Sequence, residues 1–212
     1  MKIIDIDTWK RKKHYNFFKK MDCPHYNVCA NLDITKFYEY IKENNKPFTL
    51  STIFAVTKAA NNIKEFRHRI RDEVVVEHDI VKPAITVMGD DELFGFCKVD
   101  YYNDFESFRK NAEIKIKKAQ ENISVEEDSN EDDVLYLTSL PWVSFTGITH
   151  PSNIKNVDSI PRLGWGKYFV ENDIMKLPFS ILVHHALVDG IHVGKYFEMI
   201  QELMDHPDEL FG

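Results

Sequence analysis

A two-layer α/β fold is the class this sequence predicts, and three observations carry it. Helical and strand-like apolar periodicities both occur, they are interspersed along the chain, and no repeat or glycine-rich pattern breaks them up. The 212 residues suit one domain with a sizeable core, spanning 1–212, and no Pro/Ser/Gly linker divides them. With 43% hydrophobic and 29% charged residues the balance is that of a globular protein, and disorder is excluded as a class. The 8 glycines are too few for a Gly-rich nucleotide-binding architecture.

Each element has its own signal. Thr8 is placed to cap a helix carrying Trp9, Phe17 and Phe18 among lysines. Residues 26–33 (YNVCANLD) read as a strand, after which Asp33 caps a helix with Phe37, Tyr38 and Ile41 at helical spacing. Residues 49–63 have few and small polar side chains and read as a buried helix. Strand patterns follow at 73–78, 84–88 and 93–99, then a solvated amphipathic helix over 104–123. The acidic run 126–133 (EEDSNEDD) predicts a flexible loop, because like charges repel and nothing apolar anchors them. A short strand over 134–139 ends at Pro141, and 165–170 and 177–183 read as further strands. Asp189 and Gly190 then open a last helix with Val193, Phe197, Ile200 and Met204 on one stripe, which reads as core packing.

Composition narrows the function classes. A formal net charge of −7 gives no support for nucleic-acid or anionic-membrane binding, so any anionic substrate needs locally placed positive charge. Cys23, Cys29 and Cys97 are odd in number and lack CxxC spacing. That argues against a disulfide framework or a zinc site and fits a reducing cytoplasm. The first residues are charged at once and no long apolar stretch follows, so neither a signal peptide nor a membrane-spanning helix is expected.

The segment ILVHHALVDGIHV (181–193) carries the chemistry. Two histidines follow an apolar strand, and a strand end is a rigid place from which to aim an imidazole. Histidine has a reference pKa of about 6.5, close to working pH, which suits it to act as general base in acyl transfer. His184, His185, Asp189 and His192 are residue types that bind metals, but adjacent histidines on a strand point to opposite faces, so no metal is expected. On the residues alone, satisfied core histidines remain an alternative, and Asp189 alone reads as a helix N-cap.

The segment HHALVDGIHVGKYFEMIQEL resembles the active-site segment of the chloramphenicol O-acetyltransferase family, with its HHxxxDGxHV pattern. DTWKRKKHYNFF (7–18), NLDIT (31–35), EFR (65–67), PWVSFT (141–146) and GKYF (166–169) fall in the family's order, and the resemblance runs over about residues 5 to 205. It implies a two-layer sandwich with a mixed sheet, assembled as a homotrimer with active sites at subunit interfaces. It implies an acetyl-CoA-dependent O-acetyltransferase acting on a small hydroxyl acceptor, chloramphenicol first. Other alcohols or amines, or a silent acyl-CoA-binding relative, are the alternatives.

Residue by residue, the resemblance assigns the general base to His185 and the oxyanion-stabilising hydroxyl to Thr138, four residues before Trp142. It assigns a structural ion pair to Arg11 and Asp189, where arginine can bind a carboxylate bidentately. Trp142, Lys167 and Tyr168 match positions that face coenzyme A. Phe18, Tyr26, Phe94, Tyr136 and Gly164 match acceptor-lining positions. Two of these depart from the family. Gly164 stands where a water-ordering threonine is usual and should leave room the size of that side chain, while Tyr136 is larger than the usual residue. Transfer would be direct, with no acyl-enzyme, and no GxSxG elbow occurs in the sequence.

Overall fold

The computed structural model describes residues 1–126 and 131–212. In chain order its elements are β1 (Lys2–Ile4), α1 (Lys12–Phe18), β2 (His25–Asp33), α2 (Thr35–Glu43), α3 (Phe48–Asn61), β3 (His68–Arg71), β4 (Val74–Glu77), β5 (Lys82–Met88) and β6 (Phe94–Lys98). Then follow α4 (Phe105–Glu121), β7 (Val134–Leu140), β8 (Arg162–Gly166), β9 (Phe169–Glu171), β10 (Ile174–His184), α5 (Gly190–Asp205) and α6 (Pro207–Phe211).

The larger sheet has seven strands in the order β2-β10-β8-β7-β5-β6, with β9 added to β10. It is mixed: β7 runs parallel to β5 and β8, and the other pairs are antiparallel. Strand alternation gives it two unlike faces. Leu135, Leu137, Leu163, Trp165, Phe179, Ile181 and Val183 project into the core. There they meet buried side chains of α3 and α5, including Phe54, Val56, Val193, Tyr196 and Ile200. The opposite face, the open face, lies away from that core and is partly covered by the connection between β7 and β8. One register row crosses it, Cys29, Ser180, Gly164 and Thr138, of which Ser180 and Gly164 are buried. A small antiparallel sheet, β1-β4-β3, stands apart from the larger one.

Several sequence expectations are corrected by tertiary contacts. Thr8 does not cap the first helix. Its hydroxyl donates to Asp5, α1 begins at Lys12, and Arg11 occupies the cap position. The expected strand over 165–170 is two strands, parted at Lys167 and Tyr168. The Val143 carbonyl accepts from the Lys167 N–H at 2.8 Å, and the Ser144 hydroxyl donates to the Lys167 carbonyl at 2.6 Å, so the backbone there is held by the neighbouring loop. Gly166 permits that approach, since a Cβ there would lie 2.6 Å from the Val143 oxygen. On α5 the fully buried position falls to Tyr196, whose hydroxyl donates to the Val56 carbonyl, and Phe197 is only half-buried. Asp33 lies one residue before the cap position of α2, which Ile34 occupies, but its carboxylate accepts from the Thr35 N–H at 2.9 Å and so still binds the first turn.

Of the acidic run expected to be flexible, 127–130 lie outside the described residues. Its end is tied down by charge: Glu131 pairs with Lys98, Asp132 with Arg71 and His78, and Asp133 with Lys82. Arg69, fully buried, donates to the carbonyls of Asp132 and Val134 on one side and Phe66 and His68 on the other. It thereby satisfies buried carbonyls that would otherwise be costly, and it anchors the start of β7, the strand that carries Thr138.

Candidate active site

His185 is the first residue beyond β10. Its N–H donates to the Pro24 carbonyl at 2.9 Å, which ties the strand end to the start of β2. The Phe18 ring stacks on the imidazole with centroids 3.8 Å apart and planes within 11°, and Tyr26 lies at 4.6 Å. Burial, helped by the charge of Asp189, pushes the Tyr26 phenol up to about 12, so it stays protonated.

Arg11 organises the turn from outside it. Its guanidinium bonds both Asp189 carboxylate oxygens, the His185 carbonyl at 3.0 Å and the Ala186 carbonyl at 3.3 Å. Burial alone would raise the Asp189 carboxyl, but Arg11, His185 and His192 together hold it below the usual carboxylate value. One Asp189 oxygen also lies 3.3 Å from His185 Nδ1. The approach is electrostatic and not a hydrogen bond, since Nδ1 is buried without a hydrogen-bond partner. The carboxylate charge favours the proton on Nδ1 and leaves the Nε2 lone pair available. Among the described residues nothing is bonded to Nε2, and the side chain is 33% exposed. Such an imidazole can accept a proton from a bound hydroxyl.

The adjacent histidine is different. His184 is buried on the other side of the strand, against His25, and its Nδ1 accepts the Ala186 N–H at 3.2 Å. Burial, with the nearby charges of His25 and His185, lowers it to about 4. Two residues to which the sequence assigned no role complete the turn. His192 Nδ1 accepts the Asp189 N–H at 2.9 Å, and His192 Nε2 lies 3.6 Å from Glu65, the first residue of the EFR segment. The sequence signal of His192 was the capping-box spacing of three residues after Asp189, and that of Glu65 was only its place in the EFR segment.

The remaining site residues gather elsewhere. Thr138 and Tyr136 alternate onto the open face of β7, with Gly164 beside Thr138 on β8. Ser139 falls in the alternation of Leu135 and Leu137, on the face away from Thr138. Among the described residues no hydrogen bond engages the Thr138 hydroxyl. Tyr136 lies under the Arg162 guanidinium, 5.4 Å from ring centre to cation. The room expected at Gly164 is bordered by an imidazole: a Cβ there would lie 3.7 Å from His150 Cε1.

Trp142 and Lys167 both lie exposed just beyond the ends of β7 and β8, where the Lys167 N–H donates to the carbonyl of Val143, the residue after Trp142. Tyr168 turns to α2 and α3, its hydroxyl 3.3 Å from that of Tyr38 and its ring against Phe48. Phe94 is 47% exposed on edge strand β6, two strands away from β7, with Phe96 beside it.

The sheet register separates these two groups. Thr138 is level with Ser180, which precedes His184 by four residues on β10, two strands away. At roughly 3.3 Å per residue and 4.8 Å per strand, Thr138 is about 16 Å from the end of β10. Alternation also puts the Thr138 side chain on the open face and His185 beyond the last core-facing residue, Val183. One acyl group cannot touch both within one chain. A cleft of about 130 Å³ on the same sheet, between Cys29, Asn31, Phe145 and Pro178, includes neither.

A family model described as Chloramphenicol acetyltransferase matches residues 1–201. A chloramphenicol acetyltransferase of Escherichia coli is 32% identical over 212 residues, covering 99% of this chain and 94% of its own length. One of Clostridium perfringens is 30% identical, covering 99% and 97%. A solved chloramphenicol acetyltransferase structure superposes with a TM-score of 0.85 at 26% identity, over 96% of this chain and 99% of its own. The cubic core of a pyruvate dehydrogenase multienzyme complex shares the fold at a TM-score of 0.69 and 14% identity, over 95% and 88%.

Proposed function

The chain belongs to the chloramphenicol acetyltransferase family, and on that premise we propose that it transfers the acetyl group of acetyl-CoA to a hydroxyl of chloramphenicol. The observation that carries this reading is the His185 imidazole, fixed on one side by Asp189 and Phe18 and free at Nε2. Nε2 takes the hydroxyl proton as that oxygen attacks the thioester carbonyl. The carbon–sulfur bond then breaks, and the imidazolium returns the proton to the coenzyme A thiolate. No acyl-enzyme forms. The Thr138 hydroxyl donates to the oxyanion during the attack.

This role for Thr138 requires a second copy of the chain, because its own His185 is out of reach. The reading is therefore a homotrimer in which the turn of one subunit faces the open sheet of the next. Phe18, Tyr26, Phe94, Tyr136 and Gly164 form the acceptor walls from the two sides. Acetyl-CoA, the donor substrate, lies over Trp142 and Lys167, whose ammonium joins no ion pair among the described residues, with Tyr168 behind them. A free cation and an exposed indole suit a phosphorylated nucleotide in a chain of net charge −7. Among the described residues no helix is long and apolar enough to cross a membrane, and the reaction is assigned to the cytoplasm, where coenzyme A is available.

The test is thiol release from acetyl-CoA with chloramphenicol and a panel of small alcohols and amines. Release that depends on chloramphenicol supports the reading. Rapid turnover of an unrelated amine with none of chloramphenicol defeats the named substrate and leaves acyl transfer at His185 standing.

A further inference from the structure

His150 lies in the long connection between β7 and β8, which has no regular secondary structure and therefore gave no periodic signal. The connection is docked over the open face of the sheet: the Asn27 side chain donates to the Ile148 carbonyl at 2.9 Å, and the Ser180 hydroxyl donates to Asn27 at 2.8 Å. Those polar groups are thus occupied by each other. His150 is not. Its ring borders the space over Gly164, with Cε1 3.7 Å and Nε2 3.8 Å from a Cβ built there, which is van der Waals contact, and the Thr138 carbonyl is 3.6 Å from the same point. Nε2 is buried without a hydrogen-bond partner, and Nδ1 is not.

The tautomer follows from that asymmetry. Burial, helped by the Arg162 charge, lowers the imidazole's affinity for a second proton, so the ring is neutral at pH 7. A buried N–H without an acceptor is rarer and costlier than a buried lone pair without a donor. The single proton therefore sits on Nδ1, the less buried nitrogen. A neutral N–H donor is then held beside Thr138, on the face where the acceptor is bound in the proposed assembly.

We propose that His150 is a specificity-determining residue whose Nδ1–H donates to a neutral oxygen of the acceptor, a carbonyl or similar group a few bonds from the hydroxyl that is acetylated. This rests on the acetyltransferase reading above and deepens it by naming the acceptor class: uncharged alcohols with a second, hydrogen-bond-accepting oxygen. Gly164 belongs to the same device, since a Cβ there would already touch the ring and the further atoms of a branched side chain would press on it.

Two alcohols of nearly equal shape, 4-hydroxybutyrophenone and 4-phenyl-1-butanol, differ in one carbonyl and provide the test, with chloramphenicol as control. The wild type is expected to favour the ketone about tenfold in kcat/KM, chiefly through KM, as one neutral hydrogen bond allows. His150→Leu keeps the volume and brings the ratio close to one, whereas His150→Gln keeps a donor and most of the preference. If His150→Leu does not fold, Gly164→Val pushes the ring aside and gives the same loss. A ratio unchanged in the folded variants, or no preference in a wild type that acetylates chloramphenicol, overturns the assignment. If no acceptor is acetylated, the acetyltransferase reading fails first. Calorimetric binding of the ketone then decides for His150 alone: weaker binding in His150→Leu upholds it, and equal binding overturns it.

Discussion

The turn after β10 and the open face of β7 and β8 carry the two halves of one proposed site, and they are built in opposite ways. At the turn the backbone and the Asp189 carboxylate are held by several partners each. The His185 imidazole is placed by ring stacking and by the nearby Asp189 charge, its Nδ1 being buried without a hydrogen bond. Arg11 reaches two backbone carbonyls and both oxygens of Asp189, Asp189 also faces His185, and His192 closes the capping box. On the open face, Thr138 has a free hydroxyl, His150 a buried nitrogen without a partner, and Gly164 no side chain. A base must keep one orientation whatever the substrate, so its surroundings are over-determined. A wall that recognises substrate must leave bonds unmade until the substrate arrives.

The largest expected effects test whether the halves belong to one site. His185→Ala should lower turnover by about 10²–10⁴, the span for a positioned general base. Thr138→Val should lower it by about 10²–10³ with little change in the KM for acetyl-CoA. Neither should lower the melting temperature much, since His185 is partly exposed and the Thr138 hydroxyl makes no hydrogen bond. Co-expressed chains, one carrying each substitution, should recover part of the activity in mixed oligomers, because some interfaces then pair an intact turn with an intact open face. No recovery in mixed oligomers confirmed by mass spectrometry would break the comparison.

The ion pair distinguishes the halves by stability. Asp189→Ala leaves the Arg11 guanidinium, 12% exposed, without its carboxylate. Loss of one partner of a buried pair costs about 3–5 kcal/mol, and partial exposure moves this pair to the lower end of that range or beneath it. Melting temperature and turnover should fall together, unlike the Thr138→Val enzyme. Thermal melts of the two variants side by side make the check. An Asp189→Ala protein that melts like wild type would show that the turn is held by the backbone and that Asp189 acts on the imidazole alone.

The same contrast explains what could be read from the sequence. β10 and the turn were legible because their signals are local: an unbroken apolar strand, HHxxxDG, and a helix with Val193, Ile200 and Met204 at helical spacing. Distant partners decided the rest. The break at Lys167 depends on the Val143 carbonyl, 24 residues earlier. The start of α1 depends on Arg11 reaching the turn after β10, which displaces Thr8 as the cap. β1 and β3 have three and four residues, too few for any periodicity to show. His150 gave no signal because loop residues have no period, and its position is set by the docking of Ile148 on Asn27.

The smallest expected effect concerns acid. His184, at the turn, and His68, in the small sheet, are both buried and both lowered to about 4, burial being the main cause in each. Unfolded, each would titrate near the ordinary value of about 6.5, so between about 6.5 and 4 the unfolded chain binds more protons than the folded one. Stability is therefore fully present above about 6.5 and is lost as pH falls towards 4, by up to about 3 kcal/mol for each group. The paired carboxylates of Asp189 and Asp132, held below 3.8, add their losses only at lower pH. His68 separates this term from the active site. Neither of its ring nitrogens has a hydrogen-bond partner; Glu77 approaches to 3.7 Å, and Trp9 meets the ring edge-on at 5.9 Å. His68→Phe should therefore melt within a few degrees of wild type at pH 7.5 and keep its turnover. Its melting temperature should fall less steeply than that of wild type from pH 6.5 to 4.5, because one proton-uptake site of the unfolded chain is gone while His184 remains. Parallel melting curves for the two proteins across that interval would show that His68 is not a source of acid lability, and would leave the turn at His184 as the place to look.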